Sequence, residues 1–423
     1  MRRMDAEADT YSQTMETMGQ RARQAAAALA KLQAATRDHA LRQAAAALRA
    51  AAPAILAANE QDMAHFKGTS AFGDRLLLNA ARLEAMARGL EEVADLPDPL
   101  ARVLAEWTRP NGLRISRIAQ PIGVLGMIYE SRPNVGADAA AIAIKSGNAI
   151  ILRGGSESFH SAQAIHKAVA AGLKAAGLPE ATMQVPPTAD RQFVAAMLGA
   201  VGQIDLIIPR GGKTLVGLVQ REARVPVLAH AEGLNHTYIH AAANPEMARS
   251  VLANAKMRRP GVCGATETLL IDTSIAPSLL PVLVTDLAAL GCAFKADARA
   301  RTICPELPAA GPHDFDTEWQ DAVLNIAVVD GPDSALAHVV AHGSEHTEAI
   351  ITDNAQVAED YLAACPAAVT LWNASTQFCD GGEFGFGAEI GIATGHIHAR
   401  GPIGPEQLTT FRYVVRGTGQ VRR

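Results

Sequence analysis

The feature that most constrains the fold is a series of short, almost wholly apolar runs, each followed by a stretch of helical composition. PIGVLGMIY from Pro121, NAIIL at 148–152 and DLII at 205–208 lack the polar alternation of a strand with one solvated face. Such runs suit strands that are buried on both faces of a parallel sheet. Their alternation with helices predicts a doubly wound α/β domain.

A second series of the same kind begins after about residue 235. It contains, in order, the runs TYIH, TETLLI, LNIAVV, EAIIT and AVTLWN, and predicted helices separate the first four from one another. A chain of 423 residues is also too long for one ordinary core, because domains average about 150 residues. The sequence therefore predicts two Rossmann-like α/β domains.

Four segments fall outside both series. Residues 1–20 are polar and charged, and we predict a flexible tail there, whereas the Ala-rich stretch from Thr14 to about Ala58 favours helix. Residues 113–120, LRISRIAQ, alternate as a two-faced strand does. The C-terminal segment FRYVVR is a lone predicted strand that needs a partner sheet.

Composition and charge narrow the class of partner. The formal net charge of -5 gives no basic footprint for nucleic acid or an acidic membrane surface. The N-terminal segment contains no apolar run of signal-peptide length, and no later segment reaches about 18 uninterrupted apolar residues. We therefore predict a cytoplasmic protein that acts on a small molecule, with neither nucleic acid nor membrane as a partner.

The cysteines predict reduced thiols and no metal centre. There are five, at positions 263, 292, 304, 365 and 379, with no C-x-x-C pair and no histidine cluster at zinc-ligand spacing. His396 and His398 lack a third ligand. The segment PRGGKT resembles a phosphate-binding loop, but Ile207 stands where the first glycine of such a loop is required.

Cys263 has the most informative surroundings of the five. It lies in NAKMRRPGVCGATET, between Gly261 and Gly264. Glycines let a substrate approach closely, and the nearby Arg258 and Arg259 supply positive charge that favours a thiolate. The residue types alone leave open whether Cys263 is a nucleophile or a small buried thiol.

Longer motifs carry a resemblance to a known family. They are PIGVLGMIYESRPNVGADAAAIAIKSGNAIILRGGSES, DLIIPRGGK, the Cys263 segment and the C-terminal stretch from NASTQF to FRYVVRG. From about Leu41 to the C-terminus, the chain resembles the gamma-glutamyl phosphate reductases, also called glutamate-5-semialdehyde dehydrogenases, a divergent branch of the aldehyde dehydrogenase superfamily. The resemblance implies an aldehyde dehydrogenase-like α/β fold with a small oligomerisation flap.

The resemblance also implies a domain arrangement. Residues 21–105 and 121–235 would form an NADP-binding domain, and residues 236–395 a catalytic domain. Residues 106–120 and 396–423 would form the oligomerisation flap, whose last strand joins the sheet of another subunit in the superfamily. We therefore expect a homodimer or a higher even oligomer, and the resemblance leaves open an association with glutamate kinase.

The implied reaction is the second step of proline biosynthesis from glutamate. L-Glutamyl 5-phosphate would be reduced with NADPH to L-glutamate 5-semialdehyde and phosphate, through a thioester on Cys263. Asn134, in SRPN, matches the superfamily's oxyanion-hole asparagine, and the backbone N–H of Cys263 would be the second donor. The alternative for Asn134 is a turn residue after Pro133.

The cofactor would be NADP(H), held by four matched residues. Arg153 follows NAIIL where the superfamily places a basic residue near the adenosine ribose and its 2'-phosphate, unless it is a solvated charge at a strand end. Gly211 and Gly212 match the turn that meets the cofactor before a helix. Glu318 matches, on a short motif, the glutamate that holds the nicotinamide ribose.

The substrate is anionic at both ends and therefore requires convergent basic groups. Arg132, Arg258, Arg259 and Arg400 are the candidates, with a surface salt bridge as the alternative for each.

Two departures from related sequences bear on the chemistry. Hydrolytic aldehyde dehydrogenases activate water with a glutamate, but Glu232, in HAEGLNHTY, is shifted from that register. Gly264 stands where the reductases usually have asparagine. A hydrolytic aldehyde dehydrogenase and a catalytically silent scaffold with the same fold remain the alternatives to the reductase.

Overall fold

The computed structural model describes residues 2–68, 70–130, 132–229 and 232–422. These residues form two compact units, each assembled from separate segments of the chain. The first unit comprises Met1–Ala229, Gly385–Gly391 and Ile403–Arg423, and the second comprises His230–Phe384 and Ile392–Pro402.

The elements follow one another along the chain as helices first and then as alternating strands and helices. Up to residue 229 they are α1 (Arg2–Leu29), α2 (Ala34–Ala50), α3 (Ala52–His65), α4 (Ser70–Leu76), α5 (Ala80–Asp95), β1 (Val103–Thr108), β2 (Arg114–Pro121), β3 (Val124–Tyr129), α6 (Val135–Lys145), β4 (Ala149–Arg153), α7 (Phe159–Ala175), β5 (Met183–Gln184), α8 (Gln192–Leu198), β6 (Leu206–Arg210) and α9 (Lys213–Glu222).

From residue 232 onward the alternation starts again. The elements are β7 (Asn235–Ile239), α10 (Pro245–Met257), β8 (Thr266–Asp272), α11 (Ala276–Ala289), β9 (Ala293–Ala296), α12 (Ala298–Ile303), β10 (Val323–Val329), α13 (Gly331–His342), β11 (Thr347–Ile351), α14 (Ala355–Ala364), β12 (Val369–Trp372), β13 (Ile392–Ala393), β14 (Gly401–Pro402) and β15 (Thr409–Arg416).

The first unit is built on a parallel sheet with the strand order β5-β4-β3-β6. All residues of β3 and β4 are buried, so the predicted burial on both faces is confirmed. The order reverses at β3, because β4 lies on one side of it and β6 on the other. Ligands of open α/β sheets bind at such a switch point, beyond the carboxyl ends of the strands.

The second unit contains a six-stranded sheet with the order β12-β11-β7-β8-β10-β9. All neighbouring strands pair in parallel. The five apolar runs that the sequence predicted as strands are β7, β8, β10, β11 and β12. The prediction of a second Rossmann-like α/β unit is confirmed.

A small antiparallel sheet with the order β1-β2-β15 joins the segments predicted to form the flap. Strand β15 pairs with β2 of the same chain from Thr409 opposite Pro121 to Arg416 opposite Arg114. Residues 392–402, part of which we assigned to the flap, belong instead to the second unit, where β13 and β14 pair with each other.

The prediction of a flexible tail at residues 1–20 is wrong for the part of that segment whose side chains are described. Helix α1 begins at Arg2, and Met15 is only 1% exposed, with Met18 and Ala22 also buried. These residues recur at helical spacing, so one apolar stripe of α1 packs against the unit. Among the described residues, no helix has the length and apolarity needed to cross a membrane.

Helices α2 and α7 approach each other closely at Gly172. A Cβ added to Gly172 would lie 2.5 Å from the Ala44 Cα and 2.6 Å from the Gln43 carbonyl oxygen. Backbone atoms cannot rotate away as a flexible side chain can, so the two helices must separate to admit a methyl group.

Gly172→Ala should therefore lower the free energy of unfolding by about 1–3 kcal/mol. The matched control is Gly217→Ala in α9, where an added Cβ meets no atom within 4 Å. That variant should raise the free energy of unfolding by up to about 1 kcal/mol, because alanine has the higher helix propensity. Denaturant titration followed by circular dichroism measures both, and effects of the same sign would contradict this account of the packing.

Candidate active site

Cys263 lies in the loop between α10 and β8 and is half-buried. Its carbonyl oxygen accepts a hydrogen bond from the Asn235 side-chain amide at 2.6 Å, and the same amide donates to the Ala265 carbonyl at 2.9 Å. Asn235 is fully buried at the start of β7. One buried amide therefore holds the backbone on both sides of position 264.

Glycines shape the surroundings of the cysteine. A Cβ at Gly233 would lie 2.1 Å from the Cys263 carbonyl oxygen, so only glycine fits there. A Cβ at Gly264 would lie 3.3 Å from the Thr376 carbonyl oxygen and 3.6 Å from that of Cys379. The sequence indicated the glycines next to Cys263 but not the role of Gly233, which is distant along the chain.

The other cysteines are poor candidates for a nucleophile. Burial raises the pKa of Cys292 to about 11 and that of Cys365 to about 12, and it also raises the pKa of Cys304. These side chains therefore remain thiols at neutral pH. Cys379 is buried in an apolar cluster with Val369, and Cys263 packs against that cluster from a position nearer to solvent.

The candidate substrate arginines of the second unit differ in their exposure and hydrogen bonding. Arg258 and Arg259 are exposed on the segment that leads from α10 to Cys263. Arg400 donates to Glu345 at 3.1 Å and to the Pro366 carbonyl at 2.8 Å. Its guanidinium therefore joins three segments of the second unit, as the salt-bridge alternative expected.

Glu318 precedes β10 and is half-buried. Burial raises the pKa of its carboxyl, opposed by hydrogen bonds from the Gln320 side chain and the Gly233 backbone N–H. The Gln320 amide donates to Glu318 at 3.1 Å. Glu318 is thus connected to Gly233, the residue that packs against Cys263.

Asn134 stands at the N-terminus of α6 in the first unit. Asparagine at this position commonly caps the helix with its side-chain oxygen, but Asn134 makes no such bond to the α6 backbone. Its amide nitrogen donates instead to the Asp138 carboxylate at 2.9 Å, one helical turn along. Sequence reasoning did not single out Asp138, although the four-residue spacing on a helix would bring the two side chains together.

Asp138 and Arg132 are the ionisable groups of this segment. Burial raises the pKa of Asp138 to about 6, even though the hydrogen bond from Asn134 favours the ionised form. Arg132 is exposed. The first unit therefore presents one candidate substrate arginine and one amide whose nitrogen is oriented by a carboxylate.

Gly211 and Gly212 follow β6 at the switch point of the sheet. The Gly212 N–H donates to the Glu130 carboxylate at 3.0 Å, and a Cβ at Gly211 would lie 2.5 Å from that carboxyl carbon. A Cβ at Gly212 would meet no atom within 4 Å. The Gly212 N–H is already bonded to Glu130, so the contribution of Gly212 is the open space at the N-terminus of α9.

Arg153 ends β4 at the same edge of the sheet and is only 6% exposed. Its guanidinium donates to the carbonyls of Gly154 and Ala189, and burial lowers its pKa. Its Nε has no partner among the described residues. A buried unpartnered donor, the open turn at Gly212 and the N-terminus of α9 together fit an anionic dinucleotide.

The model of the aldehyde dehydrogenase family matches residues 5–302. The gamma-glutamyl phosphate reductase of Acidiphilium cryptum is 69% identical over 419 residues, which are 99% of this chain and 100% of that protein.

Solved structures give the same fold. The gamma-glutamyl phosphate reductase of Thermotoga maritima has a TM-score of 0.95 at 38% identity and covers 97% of this chain and 100% of its own. An engineered glycolyl-CoA reductase with bound NADP+ has a TM-score of 0.64 at 13% identity, over 95% and 96% of the two chains. The predicted aldehyde dehydrogenase-like fold is confirmed.

Asp138→Asn should change how stability depends on pH. The folded-state pKa of about 6 lies above the ordinary value of 3.8, so the folded protein holds this proton more tightly than the unfolded chain does. The wild type should therefore lose stability relative to the variant as pH rises from about 4 to 6, by about 1–3 kcal/mol. Denaturant titrations at pH 4 and pH 8 measure this, and an equal difference at both would contradict the assignment.

Proposed function

Because this chain belongs to the gamma-glutamyl phosphate reductase family, a branch of the aldehyde dehydrogenase family, we propose that it reduces L-glutamyl 5-phosphate with NADPH to L-glutamate 5-semialdehyde and phosphate. This is the second step of proline biosynthesis from glutamate. The observation that carries the proposal is the half-buried Cys263, held in a glycine-walled loop by the buried Asn235.

The first chemical step belongs to Cys263. Its thiolate attacks the acyl carbon of the substrate, the bond to the phosphate oxygen breaks, and phosphate leaves with that electron pair. A thioester remains on Cys263. We propose that the exposed Arg258 and Arg259 supply positive charge for the anionic substrate.

NADPH, when bound, supplies the hydride that reduces the thioester to the level of an aldehyde. Cys263 is released as a thiolate when the aldehyde forms. Asn134 is proposed as a donor to the oxyanion that develops at each addition, with the Cys263 backbone N–H as the second donor. Hydrogen bonding of the Asn134 amide to Asp138 supports this role, because it fixes which end of the amide is the nitrogen.

The cofactor is assigned to the residues whose chemistry fits it. We propose that Gly211, Gly212 and the N-terminus of α9 accommodate the pyrophosphate, and that Arg153 contributes positive charge to NADP. Glu318 is proposed to hold the nicotinamide ribose. Among the substrate arginines we favour Arg258 and Arg259 over Arg400, whose donors are engaged, and Arg132 stays a candidate.

A hydrolytic aldehyde dehydrogenase is the competing function. In such an enzyme a carboxylate activates water beside the thioester. Among the described residues of the HAEGLNHTY segment, Gly233 and Asn235 contact the Cys263 backbone, and neither carries a carboxylate. The acyl group is therefore expected to be exchanged with phosphate and not with water.

Steady-state oxidation of glutamate semialdehyde with NADP+ tests this proposal. The wild-type rate should depend on added phosphate, and Cys263→Ala should reduce it by at least about a thousandfold. Cys292→Ala is the matched control, since it removes a buried thiol from the same unit and should retain wild-type kinetics. A full rate in phosphate-free buffer would reject the reductase in favour of the hydrolytic enzyme.

We also propose that the chain forms a homodimer or a higher even oligomer through the sheet β1-β2-β15. Phe411, Tyr413 and Val415 alternate along β15 on one exposed apolar face, and Trp107 packs edge-on against Tyr413. A soluble monomer rarely exposes this many large apolar side chains on one face. An association with glutamate kinase stays a prediction.

Light scattering at micromolar concentration tests the oligomer. The wild type should have twice the chain mass or a higher even multiple, and Phe411→Glu with Val415→Glu should shift it towards the monomer, because two charges would be buried at the interface. Val340→Glu, at an exposed apolar residue of the second unit, is the control and should leave the mass unchanged. A monomeric wild type would contradict the proposal.

A further inference from the structure

Two oppositely charged residues flank the Cys263 loop and meet in the interior of the second unit. Lys256 lies in the last turn of α10, before Cys263, and Glu267 lies in β8, after it. The Lys256 ammonium donates to the Glu267 carboxylate at 2.8 Å, and the two side chains are 0% and 2% exposed. The ion pair therefore joins the two ends of the segment that carries Cys263.

The second oxygen of Glu267 reaches another segment. It accepts the backbone N–H of Gln320 at 3.4 Å. Gln320 has a φ of 53°, in the left-handed region that residues other than glycine rarely occupy. Its side chain donates to Glu318 at 3.1 Å. Glu267 thus holds a strained backbone position next to the carboxylate proposed to bind the cofactor.

The segment held by Glu267 also contacts the cysteine loop. A Cβ at Gly261 would lie 3.4 Å from the Gln320 carbonyl oxygen. On the other side, Glu318 accepts the N–H of Gly233, which packs against the Cys263 backbone. Residues 318–320 therefore lie between two parts of the wall around Cys263.

Stability alone does not explain a buried ion pair at this place. Removing two charges from water costs about as much free energy as their attraction returns, and well-packed apolar residues of similar volume are often as stable. The cost is visible at Glu267, where burial raises the pKa to about 7 in spite of the charge on Lys256. A role in positioning gives the pair a reason to be retained.

We propose that Lys256 and Glu267 form a positioning pair. The pair fixes the Gln320 backbone and, through it, holds the Glu318 carboxylate where it can bind the cofactor. The inference rests on the proposed function, in which Glu318 holds the nicotinamide ribose. Cys263 itself has independent support from Asn235, and Gln377 donates to the Ala255 carbonyl at 3.0 Å ahead of the loop. Loss of the pair should therefore affect cofactor binding more than the reactivity of Cys263.

The test uses the full-length enzyme with Lys256→Met combined with Glu267→Leu, and separately Glu267→Gln. We expect KM for NADPH to rise by about tenfold in the double variant, with kcat at saturating NADPH and the rate of Cys263 alkylation by iodoacetamide within about threefold of wild type. Glu267→Gln keeps one of the two acceptor oxygens and should show an intermediate rise in KM. If the double variant does not fold, KM for NADPH measured on Glu267→Gln tests the proposal instead.

The control is Lys145→Met with Asp38→Leu, which removes an ion pair formed at 2.7 Å in the first unit between a buried lysine and a partly exposed aspartate. This control should leave KM for NADPH near the wild-type value. An unchanged KM in a folded Glu267 variant, or parallel losses of alkylation rate and cofactor affinity, would overturn the positioning role.

Glu318→Gln separates this inference from the proposed function. If Glu318→Gln raises KM for NADPH and the Glu267 variants do not, the positioning pair is rejected while the cofactor assignment stands. If Glu318→Gln leaves KM unchanged, the ribose assignment of Glu318 fails, and the positioning inference fails with it. If both raise KM, both are supported.

Discussion

Parallel strand pairing is the constraint on which the rest of this structure depends. Every neighbouring pair of strands in the two main sheets is parallel. Each connection must therefore run from the edge where the strands end, the carboxyl edge, back to the edge where they begin, the amino edge. All loops that leave the strands therefore gather at one edge, and all loops that enter them gather at the opposite edge. The candidate site residues of the first unit lie at the edge where the strands end: Asn134 follows β3, Arg153 ends β4 and Gly211 follows β6.

The candidate site residues of the second unit lie at the opposite edge of their sheet, where the strands begin. Gly233 precedes β7, Cys263 precedes β8 and Glu318 precedes β10, so all three stand where strands begin. Ligand sites of open α/β sheets usually lie beyond the carboxyl ends. At the amino edge, each of these residues lies on the segment that connects a helix to the next strand, and its position depends on contacts with neighbouring segments. Asn235, Gln377 and the Lys256–Glu267 pair make such contacts with the segments next to Cys263.

The sequence predicted the parts of the fold whose physical signature is local. Strands buried on both faces leave unbroken apolar runs, so β3, β4, β6 and the strands of the second sheet were evident. Helix α1 was missed at its start because residues 1–14 are mostly polar and charged, and the large buried apolar residues described in this helix, Met15, Met18 and Leu29, come later. Lys256, Glu267 and Asp138 were missed because a charged residue in a helix or strand resembles a solvated one until its partner, distant or one turn away, is known. Gly233 was missed for the same reason, since its requirement is set by the Cys263 carbonyl.

Gly264 shows how such non-local contacts affect the candidate site. In sequence it stands beside the proposed nucleophile, where the family resemblance leads us to expect asparagine. In the structure it is buried, and a Cβ there would lie 3.3 Å from the Thr376 carbonyl oxygen, closer than most side-chain carbons approach a neighbour. An asparagine at position 264 would therefore require the 376–379 backbone to move by a few tenths of an ångström. The choice of glycine is thus coupled to the placement of residues 376–379, and a larger residue at position 264 is tolerated only if that segment moves with it.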